Sequence, residues 1–509
     1  MSQASFHSRL PARGALAGAL ALILAGCAVG PNYTRPNAPA VDRYTAQPLP
    51  AQTVSTDTAG GDAQRFLEGT NVPQRWWTTF GNEELDRRVQ QALRASPTIA
   101  SAQAALREAQ ENAKAARGSF FPSLDASAGA TRQKSSGAQF GGAGAGFGSS
   151  PFNVYNAGVS VGYVFDIFGG VRRGVEAQSA LADAQHAQLD ATYLILATNV
   201  VTASLQEASL REQVRATEEI ADSLKKELDI AQKQQQIGAK SLSDTLAVES
   251  QLASTEATLP PLRKQLAVTQ DQLATYLGVT PAQLQLQPIE LANVTLPQDI
   301  PVSLPSSIVE QRPDIRAASA QLHAATAQVG VATANMLPQL TLSGSLGSQA
   351  LHSGDLFSSG TTAWSLGLSL LQPIFHGGEL LHRKRAAQAG MDRAVADWQQ
   401  TVLTAFQNVA DALQALDLDA QGLAAQNTAE RAASKRLDLT RTQYQVGAVD
   451  YLTLLDAERQ YQQSRIALIQ SRASRLADTA ALYAALGGGW NGSAESAAAT
   501  SNPKTSSPR

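Results

Sequence analysis

Apolar positions in this chain recur with two different periods, and the periods alternate along it. Over about residues 122–132, 153–165, 339–348 and 362–373 they fall at every second position, the spacing of a β-strand. In the second of these stretches Tyr155, Ala157, Val159, Val161, Tyr163 and Phe165 oppose Asn156, Gly158, Ser160, Gly162 and Val164. In the fourth, Trp364, Leu366, Leu368 and Leu370 oppose Ser365, Gly367 and Ser369. The third sets Leu340, Leu342 and Leu346 against Thr341, Ser343 and Ser345, and the first sets Leu124, Ala126 and Ala128 against Asp125, Ser127 and Gly129. The stretches run to about 10–13 residues, enough for the ~9–11 of a tilted transmembrane strand. An apolar outside and a small, polar inside describe a barrel in lipid. The same alternation also fits a half-buried soluble sheet.

Elsewhere the period is helical. Two proline-free stretches, 171–236 and 379–445, each follow a Gly-Gly pair. At 1.5 Å per residue each spans ~100 Å, several times the ~30 Å hydrocarbon layer. They carry charges every few residues, so they are not themselves expected to cross a membrane. Their apolar seams keep heptad spacing: Leu194, Thr198, Val201, Leu205 and Ala208 in one, and Val402, Phe406, Val409, Leu413 and Leu416 in the other. Such seams require partner helices. Both stretches end in a glycine turn, Ile237-Gly238-Ala239 and Val446-Gly447-Ala448, the usual signal past a helix C-terminus. Return helices are expected over 241–277 and 451–486, with shorter helices from about 98 and 314 beside them. If the strands lie in a membrane, Gly238 and Gly447 mark the far tip.

The alternation of periods occurs twice because the chain is duplicated. Pro97, Ile99, Ala102, Leu106, Ala116, Pro122 and Leu124 reappear 216 positions later as Pro313, Ile315, Ala318, Leu322, Ala332, Pro338 and Leu340. The expected organisation is a signal peptide (1–26), an extended N-terminal tether (27–75), a first repeat (76–278), an equatorial linker (279–311), a second repeat (312–490) and a disordered tail (491–509). Trp76 and Trp77, ahead of a short helix with Leu85, Val89 and Leu93, are expected to pack the tether down.

Composition narrows the function. The formal charge of −3 carries no clustered basic face, which excludes nucleic-acid binding. The six histidines include no metal-binding pair on a helix face, and no nucleophile–base arrangement is evident, so no enzyme is expected. Arg9 and Arg13 precede an apolar run from Gly14 to Ala25 that is too short to span as a mature helix. It ends in Leu24-Ala25-Gly26-Cys27, which resembles a bacterial lipoprotein cleavage box. Cys27, the one cysteine, is then the lipidated N-terminus, and covalent lipid is the only prosthetic group expected. Ala28 rather than Asp follows it, which favours the outer membrane.

Four strands cannot close a barrel, and an open edge in lipid costs several kcal/mol per unpaired backbone group. Self-association is therefore required; two copies give the bacterial minimum of about 8 strands and three give about 12.

Several segments carry a family resemblance: Val29-Gly30-Pro31-Asn32-Tyr33-Thr34-Arg35-Pro36, Trp76-Trp77, Gln311-Arg312-Pro313-Asp314-Ile315-Arg316, and Leu486-Gly487-Gly488-Gly489-Trp490. With the lipobox, they resemble TolC/OprM-type outer-membrane efflux lipoproteins over nearly the whole mature chain. The resemblance implies a mixed α/β membrane protein: a homotrimer with a 12-stranded β-barrel continuous with a periplasmic α-helical tunnel. It also implies two partners, a periplasmic adaptor and an inner-membrane efflux pump of the RND type. Tyr451-Leu452-Thr453-Leu454-Leu455-Asp456-Ala457-Glu458-Arg459 resembles the family's aperture segment, with Leu452 and Asp456 ringing the entrance and Arg459 pairing near Asp456. Positions 452, 456 and 459 share one helix face. Relatives also close the tip with polar links, for which Tyr444 and Asp244 occupy matching positions, while Val449 departs from the arginine some members carry. The expected function is export of small molecules through a gated trimeric tunnel. The alternatives are a protein-secretion channel and a non-conducting trimeric coiled-coil lipoprotein. With only three Met, a methionine relay for copper or silver has little basis.

Overall fold

A computed structural model of the chain describes residues 28–134 and 151–489. Cys27, most of the glycine-rich stretch 137–151 and the tail from Trp490 lie outside the described residues. Contacts divide the chain into two compact units, and neither coincides with a sequence repeat. One comprises residues up to Arg35, Arg107–Asp183 and Ser319–Asp397; the other comprises Pro36–Leu106, Ala184–Ala318 and the chain from Trp398. Each unit draws on residues of both repeats.

In the first unit, β2 (Ser123–Gln133), β3 (Phe152–Phe165), β5 (Gln339–Ala350) and β6 (Thr362–Leu371) form one antiparallel sheet in the order β2-β3-β5-β6. The register decides its chemistry. Leu124 pairs with Val161, Val159 with Leu346, Tyr163 with Leu342, and Leu342 with Leu368, so the apolar positions of all four strands share one face. Asp125 pairs with Ser160, Ser160 with Ser345, and Ser345 with Ser365, which gathers small and polar residues on the other. A one-residue slip anywhere would mix the two sets. The apolar face has no cover: Trp364, Leu366, Leu368 and Leu370 are each at least 65% exposed. Among the described residues, β2 and β6 are the outer strands, each hydrogen-bonded on one side only.

The start of the described chain is pinned to the same unit. Val29 N–H donates to Phe168 O at 3.0 Å, and Arg173 Nη2 donates to Asn32 Oδ1 at 2.6 Å. Tyr33 stacks on His323 with ring centroids 4.5 Å apart, and its hydroxyl lies 2.6 Å from Ser319 Oγ. Gly30, at φ 93°, meets Gly330 so closely that an added Cβ would lie 2.5 Å from the Gly330 Cα. The Gly30-Asn32-Tyr33 motif thus has a packing explanation.

The second unit is mainly helical. β1 (Arg65–Glu68) is followed by α1 (Glu83–Ala95) and α2 (Pro97–Gly118); α3 (Gly170–Gln236) leads to the return helix α4 (Leu242–Tyr276). After β4 (Asp299–Val302) come α5 (Pro305–Gln311), α6 (Pro313–Ala334), α7 (Glu379–Gln445) and the return helix α8 (Tyr451–Ala485). Helices α2, α3, α6 and α7 contribute to both units. The heptad seams are buried as their spacing requires: Val201, Leu205 and Ala208 on α3, and Val402, Val409, Leu413 and Leu416 on α7. Trp76, fully buried, packs on Trp77, Phe80 and Tyr483, while Trp77 Nε1 donates to Asp86 at 2.9 Å. Arg88 is buried too, donating to Glu84, Ser204 and Gln287 O, which ties α1 to α3.

Two features go beyond the sequence reading. β1, inside the expected tether, pairs in parallel with β4, inside the expected linker, Phe66 opposite Ile300. The Gln311-Arg312-Pro313-Asp314 motif is also a clasp. Arg312 Nη1 donates to Ala485 O at 2.6 Å, capping the end of α8, while Nη2 pairs with Asp314 at 2.7 Å. Gly487, at φ 91°, lies against the Arg312 backbone, so two motifs distant in sequence form one contact.

Candidate functional site

The helical hairpins end in the same turn. Gly238 has φ 77° and Gly447 φ 76°. Ala239 N–H donates to Gln234 O at 2.8 Å and Gly238 N–H to Gln235 O at 2.9 Å; Ala448 and Gly447 repeat this with Gln443 and Tyr444 at 2.8 and 3.0 Å. These bonds satisfy the last carbonyls of each outgoing helix and require a left-handed residue at the glycine. The return helices are then capped in different ways. Ser241 and Asp244 form a reciprocal capping box on α4, and Asp450 accepts from Thr453 N–H at 2.9 Å on α8.

Asp244 is therefore engaged with its own helix. Its carboxylate accepts from the Ser241 N–H at 3.4 Å, and the expected hydrogen bond to Tyr444 does not form within the chain. Tyr444 instead sits edge-on to Tyr451, with centroids 5.4 Å apart, and the Lys240 ammonium lies 5.1 Å from its ring and 4.0 Å from that of Tyr451. One lysine thus lies against both aromatic rings.

Asp456 and Arg459 do come together, with a third group. One Asp456 oxygen accepts from Arg459 Nη2 at 2.7 Å, and the other accepts from Arg436 Nη2 on α7 at the same distance. The Arg436 hydrogen bond foremost, with Arg459 beside it, holds this carboxyl below its ordinary range. Leu452, on the same helix, is 62% exposed, whereas the neighbouring Leu454 and Leu455 are buried. The two tips have diverged, because the first repeat has Thr245, Ala247 and Ser250 where the second has Leu454, Asp456 and Arg459. Arg436 escaped the sequence reading. Hairpin symmetry gives its signal, since 436 and 456 lie at comparable distances on either side of the turn at Gly447.

A second ionisable cluster lies behind this one. Glu458 is buried on α8, accepting from Arg441 Nη2 at 3.2 Å, and Tyr451 donates to Glu227 of α3 at 3.2 Å. Burial first, and the facing Glu227 carboxyl second, push Glu458 up to about 8. As a carboxylate its Oε2 has no donor. A proton held between Glu458 and Glu227 satisfies both.

The outer membrane efflux protein model matches residues 88–279 and 304–488, most of the chain and both repeats. The chain belongs to the outer membrane efflux protein family. The pyoverdine export outer membrane protein OpmQ of Pseudomonas aeruginosa is 34% identical over 82% of this chain and 88% of its own length. The outer membrane protein OprJ of the same species is 30% identical over 95% of this chain and 97% of its own. Among solved structures, the outer-membrane channel OprN superposes with a TM-score of 0.80 at 28% identity, covering 91% of this chain and all of that one. This outer membrane efflux protein is thus a membrane channel component and not an enzyme.

Proposed function

We propose that this efflux protein works as a homotrimer whose sheets join edge to edge into a 12-stranded outer-membrane barrel, with its helices forming a periplasmic tunnel. Small molecules delivered by an inner-membrane pump of the RND type and a periplasmic adaptor leave through it. The sheet carries this reading. Its apolar face is bare, its polar face is small, and its two outer strands lack partners, a combination stable in lipid only when neighbouring copies close the ring. Cys27, lipidated, adds a membrane anchor.

At the tip, Leu452 and Asp456 ring the entrance. Arg436 and Arg459 hold each Asp456 in place, neutralising a ring of like charges that would otherwise repel. Tyr451, Lys240 and Glu227 tie α8 to α3 and its turn. Opening then requires breaking the Arg436–Asp456 pair that links α7 to α8. In planar bilayers, Asp456→Ala and Arg459→Ala are expected to raise single-channel conductance above that of the wild type. Unchanged conductance in both variants would refute the gate assignment.

A further inference from the structure

The four strands contain two charged side chains, Asp125 and Arg132, both on β2. Alternation places them on opposite faces. Arg132 pairs with Asn153 on the same face as Leu124 and Tyr155, near the end of the sheet farthest from α2. Asp125 is on the other face, the third residue of its strand and close to the end that α2 feeds. Across the sheet its level reads Ser160, Ser345 and Ser365, the last two joined Oγ to Oγ at 2.9 Å. Ser123, Ser127, Gly158, Gly162, Ser343, Gly347 and Gly367 surround that level, so no described strand residue on this face offers a compensating cation. The Asp125 side chain is exposed.

We propose that Asp125, one from each protomer, forms an anionic collar at the inner end of the barrel that makes its lumen favour cationic over anionic solutes. This rests on the trimeric-barrel reading, in which the polar face lines the lumen. A charge in a water-filled bore with low-dielectric walls acts far more strongly than on an open surface, because the walls confine its field. Small neighbours leave the bore open at this level, and a ring of one sign raises the local concentration of the opposite one. The collar is chemically independent of the Asp456 ring at the tip, whose carboxylates are already paired with arginines.

The test uses the full-length protein in whole cells. Ser160→Cys, or Ser345→Cys as a second reporter, places a thiol at the collar level, and the parent chain with Cys27 alone gives the background. A cationic and an anionic membrane-impermeant methanethiosulfonate reagent are applied from outside, and the ratio of their labelling rates is measured. Any effect of Asp125 on thiol ionisation cancels in that ratio.

With Asp125 present the cationic reagent should be favoured, and Asp125→Asn should lower the ratio by about fivefold or more. Asp125→Glu should preserve it, and ~1 M salt should collapse it, the screening length then being ~3 Å. A ratio indifferent to Asp125→Asn at both reporters, in trimers that label normally, overturns the collar while leaving the barrel intact. If neither reporter labels but Val159→Cys does, the faces are reversed, and the barrel reading falls together with the collar.

Discussion

Burial and a facing carboxyl keep Glu458 protonated well above the pH at which a glutamic acid ordinarily ionises, and this gives the tip a direction of pH dependence. Between the ordinary value of 4.5 and about 8, the folded state holds a proton that the unfolded state has released. Stability contributed by this group is therefore full below that window and is lost as pH rises through it. Amide protection factors, corrected for the intrinsic base-catalysed rate, should fall over the end of α3 and the start of α8 from pH ~6 to pH ~8.5, and Glu458→Gln should flatten that profile. Asp419 behaves alike on a smaller scale, since burial and the adjacent Asp478 push it up to about 7. Neither was legible in the sequence, because only the packing of α3, α7 and α8 buries them. The Asp456–Arg459 pair was legible, because a three-residue spacing on a helix fixes it locally. The Ser241–Asp244 capping box was legible too, as a serine followed three residues later by an acid at a helix start.

At the scale of elements, the turn glycines carry the most specific demand. A side chain at φ 76° costs about 1–2 kcal/mol. Gly447→Ala should loosen the α7–α8 turn by that amount, seen as faster exchange at Ala448 and Val446, while Gly447→Asn should lose less. Long elements were readable from period alone: alternation from Tyr155 to Phe165 lies within β3, and the heptads of Val402 to Leu416 lie within α7. The β1–β4 pair was not. Each strand is four residues long, too short to establish a period, and the partners stand more than 200 residues apart. Phe66, Ile300 and Val302 show their value only once β1 and β4 are side by side.

For the whole molecule, the two sheet faces make opposite predictions about one substitution. Leu368→Arg on the apolar face should destabilise the assembled barrel by about 2–4 kcal/mol and deplete folded trimer from outer-membrane fractions. Ser369→Arg, one position along on the polar face, should leave trimer yield close to the wild type. Equal losses from both would contradict the assignment of faces. The duplication does not produce two separate halves, since β3 of one copy pairs with β5 of the other and both compact units draw on both copies. That mixing fixes an order in time. Tyr33 closes onto Ser319, 286 residues later, and Gly30 closes onto Gly330, so the earliest described residues have no seat until α6 has arrived and folded. The contacts that hold Gly30 and Tyr33 thus need both copies of the duplication in place. A chain truncated before α6 would lack both Ser319 and Gly330 and leave that segment without its packing partners.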